Sequence, residues 1–253
     1  MIAAFDFRPR SNTELLDASV EFTRGHFGTL AATIALGQIP VLAMTMLFPP
    51  SSSDPFGRWR AHPVLATCQV VLAVWVGVVT SVACMFVVDE LIHGRAASLS
   101  AAFSRSLRRS PASLVMVIVT YVVIILWAML LFFPAIWAYA RYFATLPAFA
   151  IENIGPFAAI RRSKLLAKKN NGRAIALALA PVVVVTTIVV ILQQGLLGGG
   201  AGMRGAQIVS SLFGIVLYPF MVVPAIFLYY DLRTRREGLD LDFAALSPPI
   251  AAA

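Results

Sequence analysis

Charge is scarce in this chain and nearly absent from more than half of it. Of 253 residues, 20 are Lys or Arg and 12 are Asp or Glu, so 13% are charged, against about 25% in ordinary soluble proteins. Six windows (27–48, 64–88, 112–133, 134–151, 174–197 and 206–230) contain a single charge, Arg141. The rest of the chain carries charge at a soluble-like density. This distribution excludes a water-soluble globule and a disordered chain. Cysteine is scarcer still, and two thiols exclude a secreted disulfide scaffold. Cys68 and Cys84 share the second window, where helix rise would hold them about 24 Å apart. Three histidines (His26, His62 and His93) have no metal-ligand spacing. No Ser-His-Asp set or catalytic carboxylate pair is apparent. The expectation is therefore no metal, no cofactor and no catalysis.

Hydrophobic residues, by contrast, make up 59% of the chain. A hydrocarbon layer about 30 Å thick takes roughly 20 apolar helical residues to cross, and backbone groups in lipid must be satisfied within the segment. Four windows each fit one crossing. Residues 112–151 would make a helix about 60 Å long, so a turn is expected near Leu131–Pro134, with Pro134 opening the next helix. The expected fold class is all-α: a polytopic membrane protein with six transmembrane helices in one membrane domain, 1–253, and a cytoplasmic tail, 231–253.

Basic residues support that topology through the positive-inside rule. With six spans and the N-terminus inside, the segments 1–26, 89–111, 152–173 and 231–253 carry 3, 4, 6 and 3 Lys+Arg, while the outer connections carry only Arg58, Arg60 and Arg204. Five spans would move one of the larger basic clusters outside. Both termini are therefore expected in the cytoplasm, with helix 1 serving as the targeting signal, since residues 1–26 contain acids and lack a cleavage-type apolar region.

Three inner segments are expected to be amphipathic interfacial helices, each preceding a pair of spans. Ser11 and Glu14 form a capping box, after which Leu15, Leu16, Val20 and Phe22 gather opposite Asp17, Glu21 and Arg24. From Ser98 to Arg109, Leu99, Ala102, Phe103 and Leu107 share a face opposite Arg105, Arg108 and Arg109. Ser110-Pro111 reads as cap and first residue of the next span. The third segment starts at Gly155-Pro156 and combines Phe157, Ile160 and Leu165 with Arg161, Arg162, Lys164, Lys168 and Lys169. The spacing is compatible with a weak threefold repeat of one short helix and two spans. Such basic clusters either enforce topology or bind anionic lipid.

Arg141 is the sharpest single feature, expected about 10 Å inside the outer end of span 4. Intramembrane charge usually faces protein or water. Two readings fit: a contact for an anionic lipid or substrate, or a structural residue snorkelling outward. Pro40, Pro147, Pro181, Pro219 and Pro224 interrupt or adjoin spans, as they do in transporters and in membrane helices generally. Ion coupling normally uses an acid at depth, and the windows have none. Gly198-Gly199-Gly200-Ala201-Gly202 lacks the Gly-Lys-Ser/Thr of a phosphate loop and reads as a connection between spans 5 and 6. Asp89, Glu90, Glu152 and Asp231 lie at inner span ends, where basic neighbours can pair with them.

Two stretches carry a resemblance. One is Pro147-Ala148-Phe149-Ala150-Ile151-Glu152 followed by Gly155-Pro156-Phe157-Ala158-Ala159-Ile160-Arg161-Arg162-Ser163. The other runs from Leu228-Tyr229-Tyr230-Asp231 to Leu239-Asp240-Leu241. Both resemble the membrane domain associated with glycerophosphoryl diester phosphodiesterases, a bacterial six-span module also found alone. Leu15-Leu16-Asp17-Ala18 through His26-Phe27-Gly28 is similar to that family's opening helix. The resemblance covers nearly the whole chain and implies architecture rather than hydrolysis. The family's phosphodiesterase activity belongs to a separate barrel of roughly 250 residues, which is not expected here. His93-Gly94-Arg95 is a near-anagram of a catalytic signature in that barrel and reads as coincidence. The resemblance also places Arg141 and Glu152 in the family's characteristic span-4 region.

The expected protein is a non-enzymatic scaffold or accessory subunit of a bacterial cytoplasmic membrane. Its partners would be membrane lipids, a membrane protein or further copies of itself, and not nucleic acid. The alternative is a small transporter or lipid-handling protein with a cavity near Arg141. Arg141, Glu152, Arg161 and Arg162 are the candidate anion or lipid contacts.

Overall fold

The computed structural model describes residues 10–47, 57–168, 170–199 and 202–237, all in helices or short connections and, among these residues, without strands. In chain order the helices are α1 (Asn12–Gly25), α2 (Phe27–Leu47), α3 (Gly57–Ala61), α4 (Pro63–Ile92), α5 (Leu99–Arg108), α6 (Ser110–Leu130), α7 (Phe132–Tyr142), α8 (Thr145–Ile151), α9 (Pro156–Ala167), α10 (Asn171–Gly198), α11 (Gly202–Leu217) and α12 (Pro219–Glu237). Five stretches are long and apolar enough to cross a membrane: α2, α4, α6, α10 and the run Gly205–Glu237. They make this an all-helical protein with the character of a membrane protein.

The window 134–151 is not one helix. α7 has 11 residues and α8 has 7, about 16 and 10 Å at 1.5 Å per residue, so neither alone spans 30 Å of hydrocarbon. The break has a local cause. Pro147 has no N–H to return to the carbonyl four residues back, and Ser163 Oγ on α9 donates to the Arg141 carbonyl at 2.7 Å. The turn before α7 also differs from expectation. Leu131 is the extended residue, at φ −161° and ψ 140°, and helix resumes at Phe132, so Pro134 stands third rather than first. α12 continues to Glu237, which makes the first part of the expected tail helical. Residues 238–253, Lys169, Gly200 and Ala201 lie outside the described residues.

The three short segments are helices. Around α1, Ser11 accepts from Glu14 N at 3.2 Å while its own N donates to the Glu14 carboxylate at 2.8 Å. Leu15, Ser19 and Thr23 are buried. Phe22 meets Phe227 edge-on at 5.3 Å, so this side of α1 packs on α12. In α5, Ser98 caps through Ala101 N, and Ala102 and Ser106 form the buried side. Leu107, expected on that side, is exposed, while Ser106 Oγ donates to the Val79 carbonyl of α4 at 2.7 Å. α6 begins at Ser110 itself, with Arg109 in the capping position. In α9, Ala159, Ile160, Ser163, Leu166 and Ala167 face inward.

The core lies where α4, α8 and α12 meet. Val82–Val88, Phe149 and Ile226–Tyr230 are buried there, with Leu15 and Ile34 joining from α1 and α2. Away from it, α6 and α10 turn Ile118, Ile125, Leu126, Val183, Val184 and Ile191 outward, as helices bordered by hydrocarbon do.

Candidate functional site

The ends of α4, α8, α9, α10 and α12 meet in a layer of charges and phenols directly beside this core. Three acids organise it. Asp231, 5% exposed, accepts from Arg173 Nε at 3.1 Å, Arg235 Nε at 2.9 Å and the Arg10 backbone N at 3.0 Å. Arg173 and Arg235 each also donate to the Arg10 carbonyl at 2.6 Å. One carboxylate therefore ties the segment before α1 to the start of α10 and the end of α12.

Glu152 makes the second node. It accepts from Arg162 Nε at 2.8 and 3.0 Å and from Tyr229 OH at 2.6 Å, with Arg233 at 3.7 Å. Arg162 also bonds Glu237 through Nη2 at 2.8 Å, and Arg233 reaches Glu237 at 3.2 Å. The hydrogen bond to Glu237, aided by Glu152, holds the Arg162 guanidinium above its ordinary pKa despite the opposing effect of burial. Asp89 is the third node, taking the Tyr230 hydroxyl with His93 and Arg95 at 3.4 and 3.6 Å. Beside it, Glu90 accepts weakly from Ser98 N at 3.4 Å.

Arg109 works without an acid. Its Nη1 donates to the Phe149 carbonyl at 2.9 Å and its Nη2 to the Ile154 carbonyl at 2.8 Å, while Cζ stacks 4.0 Å over the Phe149 ring. Burial depresses its pKa, but guanidinium starts so high that it stays charged. It pins the corner between α5 and α6 to the end of α8, satisfying carbonyls that a helix end leaves open.

The four sequence candidates separate. Glu152 and Arg162 pair with each other, while Arg161 is exposed on the other side of α9. Arg141 joins neither. Its guanidinium lies 4.3 Å over Trp137, and no acid among the described residues is within ion-pair distance. Trp137 Nε1 donates to the Asn171 side-chain oxygen at 2.9 Å when the amide nitrogen bonds the Ala167 carbonyl at 2.7 Å. Arg141 thus sits one turn along α7 from Trp137, which touches Asn171, the first residue of α10 and two positions before Arg173 of the ion-paired layer. The spacing along span 4 gives no sign of this, because α7 packs against α9 and α10 instead of running on into α8 as one helix. Arg173, Tyr229, Tyr230 and the pinning role of Arg109 were not foreseen. The signal for the tyrosines was two phenols next to an acid at the close of an apolar run, Tyr229-Tyr230-Asp231, within a stretch that carries the family resemblance.

A cavity of about 120 Å³ lies between α6 and the break from α7 to α8, lined by Met116, Thr120, Tyr121, Tyr139, Tyr142 and Thr145 among others. It flanks Arg141 in sequence without including it. The Thr120 and Thr145 hydroxyls are buried and bond nothing. At its rim Lys164 Nζ stands 5.1 Å from the Tyr142 ring centre. Among the described residues no group of three or more His, Cys, Asp or Glu is placed to hold a metal. No family model, curated protein or solved structure matches the chain.

Proposed function

We propose that the protein is a non-enzymatic scaffold or accessory subunit of a bacterial cytoplasmic membrane, packing against a membrane partner or lipid. The observation that carries this reading is the use of the carboxylates. Asp89, Glu152, Asp231 and Glu237 each hold helices together through arginines or tyrosines. Carboxylates engaged in joining helices are not turned toward a substrate.

The same layer supports six crossings with both ends inside. α2 leaves from it, α4 returns to Asp89, α6 leaves from Arg109 and α10 leaves from Arg173. A return is needed between α6 and α10, and α7 with α8 is the available path. The Arg10 bond to Asp231 supports both described ends lying on one side, which the basic bias makes cytoplasmic. On this topology α1, α5 and α9 lie at the inner headgroups. The chain would then be a stand-alone form of the six-span module it resembles.

A second reading, a small transporter or lipid-handling protein, is favoured by the cavity beside the break from α7 to α8. One experiment separates the two. Native mass spectrometry of the protein in mild detergent is expected to show a stoichiometric protein partner or retained lipid, with no solute flux from proteoliposomes. Flux that Arg141→Leu abolishes in a still-folded protein would establish the second reading instead.

A further inference from the structure

We propose that the cavity between α6, α7 and α8 holds the glycerol-ester segment of an anionic phospholipid whose phosphate is met by Lys164 and Arg161 on α9. The inference rests on the membrane reading above and extends it to a defined lipid site.

Two independent features converge here. The first is the pair of threonine hydroxyls. Thr145 is 2% exposed, and its Oγ1, like that of Thr120, has no partner in a wall that is mostly apolar apart from Tyr121, Tyr139 and Tyr142. Buried hydroxyls are almost always bonded, so two of them in one cavity mark a place for a polar group. A void near 150 Å³ admits a six-carbon ring, so about 120 Å³ suits a short ester segment and not a whole lipid. Tyr121, 56% exposed, forms the outer wall. The cavity therefore opens sideways onto the lipid-facing side of α6, where acyl chains can leave along Ile118, Val122 and Ile125.

The second feature is the outer side of α9. At 3.6 residues per turn, Phe157, Arg161, Lys164, Leu165 and Lys168 fall within roughly a 100° arc. The buried residues Ala159, Ser163, Leu166 and Ala167 occupy the opposite side. Phe157 and Leu165 are 67% and 48% exposed. The three cations make no ion pair with any described residue, and the arc contains no acid. Arg162, which does face acids, lies outside it. Large exposed apolar residues alternating with cations are what a headgroup layer accommodates. Lys164 links the two features, because the ring it stands over is part of the cavity wall.

The test uses the full chain in mild detergent, with bound lipid counted by native mass spectrometry during titration with phosphatidylglycerol, phosphatidylcholine or inorganic phosphate. Wild type is expected to retain one phosphatidylglycerol in preference to phosphatidylcholine. Lys164→Ala and Arg161→Ala should each cut that preference about fivefold without changing phosphatidylcholine binding. Thr145→Val should weaken both lipids yet raise the melting temperature of the delipidated protein, because a buried unpaired hydroxyl is replaced by a methyl of equal size. Preference unchanged in Lys164→Ala overturns the proposal. So does displacement of phosphatidylglycerol by millimolar phosphate, which would indicate a site for the free anion. Binding unaffected by Thr145→Val would leave only water in the cavity and overturns it as well. Resistance of the wild-type protein to carbonate extraction is measured in parallel. Its loss would sink the membrane reading, whereas failure of the lipid arms with extraction resistance intact sinks the lipid site alone.

Discussion

Asp231 shows how one residue can decide several helix positions. A carboxylate that is almost fully buried is tolerable only when its charge is paired and its oxygens are bonded, and here two guanidiniums and a backbone N–H do both. Asp231→Asn removes the charge and leaves Arg173 half-buried opposite a neutral amide. Breaking one side of a buried pair costs about 3–5 kcal/mol, so a clear fall in melting temperature in detergent is expected. Glu90→Gln should change little by the same measurement, because its link to Arg105 is 3.9 Å long and that arginine is mostly exposed. Equal effects from the two substitutions would mean that burial does not rank these pairs. Arg109 is the other residue of this kind. A lysine there has no planar fork to reach two carbonyls while stacking on Phe149, and Arg109→Lys should lose about 1.5–3 kcal/mol by the same assay.

At the scale of elements, two contacts explain the packing best. Gly37 of α2 crosses α4 so closely that an added Cβ would enter the space of the Thr80 hydroxyl and lie 2.8 Å from its Cβ. Small residues permit such close crossings where lipid offers no hydrophobic drive. Gly37→Ala is expected to destabilise by about 1–3 kcal/mol, and adding Thr80→Ala should recover part of it. Thermal unfolding of the two variants and the double variant checks the coupling; additive losses would place the contact elsewhere. The second contact is Ser163 with the Arg141 carbonyl, which helps hold α7 and α8 as separate pieces. The existence and extent of α2, α4, α6 and α10 were legible from apolar length alone, because each must satisfy its backbone internally. The break at Phe143–Ala144 was not. Pro147 marked a weak point, but what stabilises the break comes from α9, twenty residues away.

For the whole molecule, the ion-paired layer makes α1, α4, α9, α10 and α12 share one end. On a background with Cys68 and Cys84 replaced, a cysteine at Arg58 should be labelled by an impermeant reagent in intact cells. One at Lys168 should be labelled only after permeabilisation. The reverse pattern, or labelling of both, ends the six-crossing topology. The exposed apolar sides of α6 and α10 face lipid on this arrangement.

Length and hydropathy were enough to anticipate helices long and apolar enough to cross a membrane, since both depend only on the local cost of putting a backbone in hydrocarbon. The capping box at Ser11, the helix start at Pro156 and the acids at span ends were readable for the same local reason. Which arginine meets which acid was not readable, because residues 10, 173, 231 and 235 become neighbours only once the ends of α1, α10 and α12 are brought together. The same holds for Arg141, whose place depends on how α7 packs on α9 and α10, and for a cavity whose two unpaired hydroxyls come from different helices. Those are consequences of long-range packing, and only the tertiary structure decides them.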